Sequence, residues 1–326
     1  MDKKTAKKYS KKMKKMKKEI HKAVIGQEDA IDKVIKCFFA NGHALLEGVP
    51  GIAKTFLIRC LNQTIKESEF NRVQFTPDLL PADIIGLNVY SQKKEEFYVR
   101  KGPIFTNFLL ADEINRAPPK VQSALLEAMQ ERFATIGKKD FSLPNPFLVL
   151  ATQNPLEQMG TYPLPEAQID RFLFKINVYY PKKDNELKII DTNMDSHDID
   201  DFGIEKVFDT KQVLKIQTDV QEVYLSEKVK QYIVNLVEAT RKPEKYDLKY
   251  KKYIDWGGSP RASINLAKAA KVDALFSGEN FVTPDNVKSI APEVLRHRIL
   301  LNYEGKAMQL KTDDIVKELL DTVPVP

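Results

Sequence analysis

The residues with the clearest potential for chemistry lie in one short segment, Gly48-Val49-Pro50-Gly51-Ile52-Ala53-Lys54-Thr55, which Phe56 follows. The spacing of two glycines, a lysine and a threonine matches the loop that surrounds nucleotide phosphates, except that Ala53 replaces the last glycine. In such a loop the backbone N–H groups face the phosphates, and the following helix adds its positive N-terminal end. Lys54 would neutralise the β- and γ-phosphates, and Thr55 would ligate Mg²⁺. A chance glycine-proline turn before a helix is the alternative.

Two neighbouring acids, Asp112 and Glu113, follow the apolar run Phe108–Ala111. Asp112 would hold Mg²⁺ through its water shell, and Glu113 would act as the general base that polarises the attacking water. Acids also end strands simply because the chain returns to solvent. The catalytic interpretation is favoured here, because open α/β sheets bind ligands at the carboxyl ends of their parallel strands.

Two polar residues are weaker candidates. Asn154 lies in Ala151-Thr152-Gln153-Asn154-Pro155, directly after another apolar run, where its amide could orient water against a γ-phosphate. Asn-Pro is also an ordinary turn at the end of a strand. Arg171 directly precedes the last apolar run, and a salt bridge within its own domain is the usual role of such an arginine.

Short apolar runs separated by helical stretches fill residues 40 to 182. This alternation predicts a parallel sheet that is buried on both faces. We expect a five-stranded α/β nucleotide-binding domain over residues 19–182, with an irregular insertion at Pro77–Pro103 and a hairpin at Arg132–Leu143 around Gly137-Lys138. The five runs are Ala44–Leu46, Arg72–Phe75, Phe108–Ala111, Phe147–Thr152 and Phe172–Val178.

The remainder of the chain predicts a linker over 183–207 and a smaller, entirely helical domain over 208–326. Ser226 can cap a helix whose apolar residues form one stripe. Ser259-Pro260 and Thr283-Pro284 are further helix starts, with a capping residue before a proline, and Gly278 is a helix end.

The N-terminal segment is strongly basic. Residues 1–22 contain eleven lysines and two acids, whereas the rest of the chain has a small excess of acids. Tyr9, Met13, Met16 and Ile20 recur at helical spacing, which predicts an amphipathic helix over 1–18. This helix either packs its apolar stripe on the domain or binds an anionic surface such as a membrane.

Composition narrows the class of protein. The chain is 43% hydrophobic and 29% charged, which is typical of a globular domain. It contains no apolar run of the roughly 18–20 residues that a membrane helix needs, and its N-terminus lacks the apolar segment of a signal peptide. We therefore expect a cytoplasmic protein, which also suits the two cysteines Cys37 and Cys60. The four histidines lack metal-ligand spacing, so a zinc enzyme is not expected.

Five segments together resemble the MoxR-type AAA+ ATPases, over roughly residues 20–305. They are LLEGVPGIAKT, LLADEINRAPPKVQSALLEAMQE, ATQNP, LPEAQIDRF and WGGSPRASINLAKAA. The resemblance implies that Lys54 and Thr55 form the Walker A motif, Asp112 and Glu113 form Walker B, and Asn154 is sensor 1. It also implies that Arg261 is the sensor 2 residue and Arg171 the arginine finger of the neighbouring subunit.

Further expectations rest on the same resemblance. Val24-Ile25-Gly26-Gln27 is similar to the segment that contacts adenine, and the two insertions are similar to the helix-2 insert and the pre-sensor-1 hairpin. The resemblance implies ATP and Mg²⁺ as cofactors, a homo-oligomer that is expected to be a hexameric ring, and client proteins. A von Willebrand factor A-domain protein is one candidate client.

We expect an ATPase that assembles or activates partner proteins. The motor subunit of a metal chelatase is an alternative. A nucleic-acid motor similar to the minichromosome maintenance helicases is disfavoured, because basic and aromatic residues are rarely interleaved, and no sequence-specific nucleic acid is expected. A scaffold without turnover is disfavoured because the candidate catalytic residues are all present.

Overall fold

The computed structural model describes residues 1–48, 54–154, 160–193 and 198–326. The helices are α1 (Lys3–His21), α2 (Glu28–Phe39), α3 (Lys54–Gln63), α4 (Pro81–Ile85), α5 (Pro119–Glu131), α6 (Glu166–Ile169), α7 (Lys183–Asn193), α8 (Thr210–Asp219), α9 (Glu227–Arg241), α10 (Pro260–Ser277), α11 (Pro284–Leu295), α12 (Tyr303–Ala307) and α13 (Thr312–Thr322). The strands are β1 (Ala44–Glu47), β2 (Ile65–Lys66), β3 (Phe70–Gln74), β4 (Gly86–Ser91), β5 (Glu96–Lys101), β6 (Phe108–Asp112), β7 (Phe133–Ile136), β8 (Lys139–Ser142), β9 (Leu148–Gln153), β10 (Phe174–Asn177), β11 (Phe208–Asp209), β12 (Ile254–Trp256) and β13 (Leu300–Leu301).

The chain forms two compact units. The larger, called the sheet unit below, comprises Lys15–Phe172 and Ile176–Leu214. The smaller, called the helical unit, comprises Met1–Lys14, Leu173–Lys175 and Lys215–Pro326.

A five-stranded sheet in the order β10-β1-β9-β6-β3 confirms the predicted α/β fold. The pairs β1–β9, β9–β6 and β6–β3 are parallel. The strand bounds lie within two residues of the predicted apolar runs. Strands β1, β6 and β9 are buried along almost their whole length, whereas the edge strand β3 exposes alternate residues. The prediction of a sheet buried on both faces therefore holds for the central strands and is wrong for the edge strand β3, which exposes Arg72 and Gln74.

The core on one side of the sheet involves α5. Its apolar face, with Val121, Leu125 and Met129, packs with buried residues of β6 and β9 such as Leu109 and Val149. Helix α5 begins with Pro119, which lacks the N–H that a first helical turn leaves unpaired. This packing fixes β6 against α5.

Both predicted insertions are present in the sheet unit. The segment 77–103 contains the short helix α4 and the antiparallel hairpin β4–β5. The predicted hairpin around Gly137 is β7–β8. The two hairpins touch, because a Cβ added at Gly137 would lie 2.4 Å from Nδ2 of Asn88.

The helical unit confirms the predicted caps. The hydroxyls of Ser226, Ser259 and Thr283 accept hydrogen bonds from backbone N–H groups in the first turns of α9, α10 and α11. Gly278 ends α10 with φ 89°. The expectation of helices alone is incomplete, since β12 and β13 form a short antiparallel pair. Residues 183–207, expected to be a linker, contain α7 and the single turn Ile199–Phe202.

Helix α1 forms where the lysine-rich segment predicted it. Tyr9, Met13, Met16 and Ile20 are all buried, which supports the packing interpretation of the apolar stripe. In the helical unit the Tyr9 hydroxyl donates to Asp219 at 2.5 Å. In the sheet unit Lys15 pairs with Glu205 at 2.7 Å.

In the parts of the chain that the structure describes, no helix is both long and apolar enough to cross a bilayer.

Candidate nucleotide-binding site

The candidate residues of the sheet unit gather at one edge of the sheet. Strands β1, β9, β6 and β3 are adjacent and parallel, so their carboxyl ends share that edge. Lys54 begins α3 after the loop that follows β1, Asn154 follows β9, and Asp112 is the last residue of β6. A ligand crevice at the carboxyl edge is the general arrangement of open α/β sheets. The structure thus brings these three predicted residues together.

The phosphate-loop segment is only partly described. The predicted binding residues Val49, Pro50, Gly51, Ile52 and Ala53 lie outside the described residues. Gly48 is buried, and its carbonyl accepts a hydrogen bond from the Lys54 ammonium. Thr55 and Phe56 lie in the first turn of α3 and are partly buried.

Lys54 lies near several negative charges. Partial burial lowers the pKa of Lys54, and the carboxylates of Asp112, Glu113 and Glu47 oppose that shift. The lysine and the acid pair therefore share one electrostatic environment, as a phosphate and metal site requires.

Thr152 joins the two acids. Its hydroxyl donates to Oδ1 of Asp112 at 2.6 Å and accepts from the backbone N–H of Glu113 at 2.8 Å. Thr152 is buried on β9, the strand next to β6. One hydroxyl on a rigid central strand thus fixes both the Asp112 carboxylate and the Glu113 backbone.

Glu113 adopts a left-handed backbone conformation, with φ 56° and ψ 50°. Such conformations are uncommon for non-glycine residues and cluster at functional sites. The Oε2 atom accepts from Nε2 of Gln74 at 2.7 Å and pairs with Nη1 of Arg116 at 3.2 Å. Backbone and side chain are both constrained, so the carboxylate is held at the sheet edge.

Asp112 has a second cationic partner in Arg72. The Nε and Nη2 atoms of Arg72 lie 3.2 and 2.6 Å from Oδ2 of Asp112. Four partners of the acid pair were not predicted from the sequence: Arg72, Gln74, Arg116 and Thr152. Arg72 and Gln74 are two residues apart on β3, which pairs with β6, so both side chains lie on the same face of the sheet. This spacing is the sequence feature that could have identified them.

Asn154 is buried directly after β9. Arg171 follows α6 by two residues and is partly buried. That Arg171 completes the site of a neighbouring subunit stays a prediction.

The predicted adenine-contacting segment lies in the sheet unit. Val24 is buried, and Ile25 is partly buried. Gly26 has φ +77°, and a Cβ there would lie 2.9 Å from the side chains of Pro181 and Asn185. The Gln27 amide donates to the carbonyl of Tyr179 at 2.9 Å. The segment thus packs against the chain that follows β10, and its contact with adenine stays a prediction.

Arg261 belongs to the helical unit, where it lies in the first turn of α10. Its backbone N–H donates to the Ser259 hydroxyl at 3.2 Å. The preceding glycines allow a close approach to α9, because a Cβ at Gly257 would lie 2.4 Å from the Thr240 carbonyl, and the Gly258 N–H donates to the Thr240 hydroxyl at 2.9 Å. The glycine pair therefore sets where α10 begins.

Comparison with known proteins agrees with this architecture. Residues 43–174 match the family model described as "ATPase family associated with various cellular activities (AAA)", and residues 250–319 match the AAA lid domain. A crystal structure of a putative ATPase from Cytophaga hutchinsonii superposes with a TM-score of 0.91 at 46% identity, over 98% of this chain and 97% of that chain.

Curated relatives cover most of the chain as well. Chaperone MoxR1 of Mycobacterium tuberculosis is 44% identical, over 94% of this chain and 81% of that protein. YeaC of Bacillus subtilis is 43% identical, over 94% of this chain and 92% of its own length. Protein MoxR of Methylorubrum extorquens is 31% identical, over 94% of this chain and 93% of that protein. The chain therefore belongs to the MoxR family of AAA ATPases, which confirms the resemblance drawn from its motifs.

Proposed function

We propose that this AAA ATPase hydrolyses ATP in a Mg²⁺-dependent reaction and uses the cycle to remodel partner proteins. The observation that carries the hydrolytic part is the cluster of Lys54, Asp112, Glu113 and Asn154 at the ends of adjacent parallel strands. Lys54 would bind the phosphates, Glu113 would take a proton from the attacking water, and the Asn154 amide would orient that water.

The donor set fits Mg²⁺. Asp112 and Thr55 supply a carboxylate and a hydroxyl, the hard oxygen ligands that this ion prefers. Among the described residues, no group of three or more His, Cys, Asp or Glu side chains could hold a metal ion. An ion held by one or two protein oxygens together with nucleotide phosphates is the usual arrangement for Mg²⁺ in nucleotide sites. The bound ion would neutralise charge that develops on the phosphates.

The remodelling part is supported by the relative named a chaperone and by the two hairpins. Tyr90, Phe97 and Tyr98 of β4–β5 expose 50%, 72% and 48% of their surface, and the Tyr90 and Phe97 rings lie 5.1 Å apart. Clustered exposed aromatics mark interaction surfaces. Because β4–β5 also touches β7–β8, we propose that both hairpins form one client-binding surface.

Assembly and location complete the proposal. We propose a closed ring of identical subunits, six by family expectation, in which Arg171 of one subunit completes the site of the next. The candidate clients are a von Willebrand factor A-domain protein and a chelatase subunit. Cys37 and Cys60 are buried free thiols, which supports the cytoplasm as the compartment.

The test is affinity capture with Glu113→Gln, which should bind ATP without hydrolysing it and so retain both ring and client. Adding Phe97→Ser and Tyr90→Ser should leave ATP binding intact and remove the client. Tyr303→Ser, at a still more exposed aromatic of the helical unit, is the control. Equal client recovery with all variants would contradict the hairpin surface, and recovery of nucleic acid alone would contradict protein remodelling.

A further inference from the structure

Arg72 connects the hydrogen bonds of the two acids. One of its nitrogens, Nη2, contacts Oδ2 of Asp112 at 2.6 Å and Oε1 of Gln74 at 3.2 Å. The other amide atom of Gln74, Nε2, donates to Oε2 of Glu113 at 2.7 Å. A continuous path of side chains therefore runs from Asp112 through Arg72 and Gln74 to Glu113.

The donor chemistry of Arg72 determines how Gln74 acts. A guanidinium can only donate hydrogen bonds, so the atom of Gln74 that faces it must be the carbonyl oxygen. The amide nitrogen then faces Glu113 and donates to its ionised carboxylate. The Glu113 carboxylate can only accept, so it favours the same orientation, and Arg72 adds a second anchor at the carbonyl end of the amide.

The same guanidinium pairs with the carboxylate that would bind the metal. Thr152 donates a hydrogen bond to Oδ1 of Asp112, and Arg72 donates to Oδ2. The side chain of Asp112 exposes 16% of its surface and that of Arg72 exposes 49%, so solvent partly screens this ion pair. Any cation drawn to Asp112 must compete with this ion pair.

We propose that Arg72 is a positioning residue that couples cation binding at Asp112 to the placement of Glu113. It competes with Mg²⁺ for the Asp112 carboxylate and, through Gln74, holds the Glu113 carboxylate in place. The inference rests on the Mg²⁺–nucleotide site proposed above.

The first test measures Mg²⁺ binding rather than turnover. The fluorescence of mant-ADP bound to the full-length protein is titrated with MgCl₂ for the wild type, R72M and R72K. R72M should need less Mg²⁺ for half-saturation, up to about fivefold less, which is the usual limit for an exposed ion pair. R72K retains a cationic donor and should stay closer to the wild type. R241M, at an exposed arginine of α9, should match the wild type.

The second test measures turnover in a double-mutant cycle. R72M and Q74L should each lower kcat by about 10–100-fold, the usual effect of removing a residue that orients a metal-site or catalytic side chain. The double variant should be no worse than Q74L, because both changes remove the same support. Thermal unfolding verifies that each variant folds, and R72Q replaces R72M if the latter does not.

The outcomes separate the two proposals. If MgCl₂ does not change the fluorescence of mant-ADP bound to the wild type, the proposed Mg²⁺–nucleotide site itself is contradicted. A wild type that responds to Mg²⁺, with R72M identical to it or with the Mg²⁺ requirement of R72K lowered as far as that of R72M, would overturn the role of Arg72. Additive losses in R72M/Q74L would also overturn it.

Discussion

The hydroxyl of Thr152 donates a 2.6 Å hydrogen bond to the carboxylate of Asp112, although the two residues are 40 positions apart in the chain. Parallel pairing of β9 with β6 produces this contact. The same hydroxyl accepts from the Glu113 N–H, so it stabilises the unusual backbone that presents Glu113.

Replacing this hydroxyl should impair hydrolysis more than binding. Thr152→Val keeps the shape but removes the acceptor of the partly buried Glu113 N–H, which typically costs about 1–3 kcal/mol of stability. We expect kcat to fall about 10–100-fold. Thr152→Ser retains the hydroxyl and should stay near the wild type. Steady-state ATPase assays and thermal unfolding measure both effects, and equal activity of the two variants would contradict the role of the hydroxyl.

Lys54 and Glu113 should differ in which step they affect. Lys54→Ala should weaken nucleotide binding, because in the proposed site the ammonium would contact the phosphates in the ground state. Glu113→Gln should leave binding intact and lower kcat by about 10²–10⁴-fold, the usual contribution of a general base. Mant-ATP binding and single-turnover hydrolysis distinguish the two. Comparable turnover in Glu113→Gln and wild type would remove Glu113 from the role of base.

Arg171 should act on the site of another subunit. A guanidinium supplied in this way accelerates hydrolysis about 10³–10⁵-fold in GTPase systems. Arg171→Ala and Lys54→Ala should each be inactive alone, and mixing them should partly restore ATPase activity, because some interfaces then combine an intact lysine with an intact arginine. Full activity of Arg171→Ala alone would show that the site is complete within one chain.

His43 should make stability depend on pH. The ring is fully buried, and its Nδ1 accepts from the Val149 N–H at 2.9 Å while Nε2 lies 3.1 Å from the Met129 carbonyl. Burial first, and the charge of Arg132 second, hold the pKa of His43 well below its ordinary value of 6.5. The neutral ring therefore contributes stability above about pH 6.5, and this contribution is lost as the pH falls below it.

Denaturant unfolding between pH 7.5 and 5.5 measures this effect. The free energy of unfolding should fall by about 1.4 kcal/mol per pH unit below 6.5 for one such histidine. Burial also lowers the pKa of His21, so the wild type alone does not isolate His43. His43→Gln cannot titrate and should show a shallower pH dependence. An identical slope for His43→Gln would contradict the assignment.

The residues of the phosphate loop, the acid pair and the helix caps could be read from the sequence because each depends on local spacing. Asp112 follows an apolar run directly, Lys54 follows the glycine-containing loop after another run, and runs buried on both faces leave a continuous apolar signal. Ser259 and Thr283 satisfy N–H groups two or three residues away. Such short-range relations need only the backbone geometry of one element.

The partners of the acids depended on tertiary structure. Thr152 and Arg72 flank Asp112 because β9 and β3 are the two neighbours of β6 in the sheet. The sequence around a hydroxyl or guanidinium does not indicate which strand will lie beside it. The lysine-rich helix is a similar case. Its apolar stripe was visible in the sequence, whereas the burial of Met13 and Met16 followed only from packing, because periodicity shows that a helix has an apolar face and not what covers it.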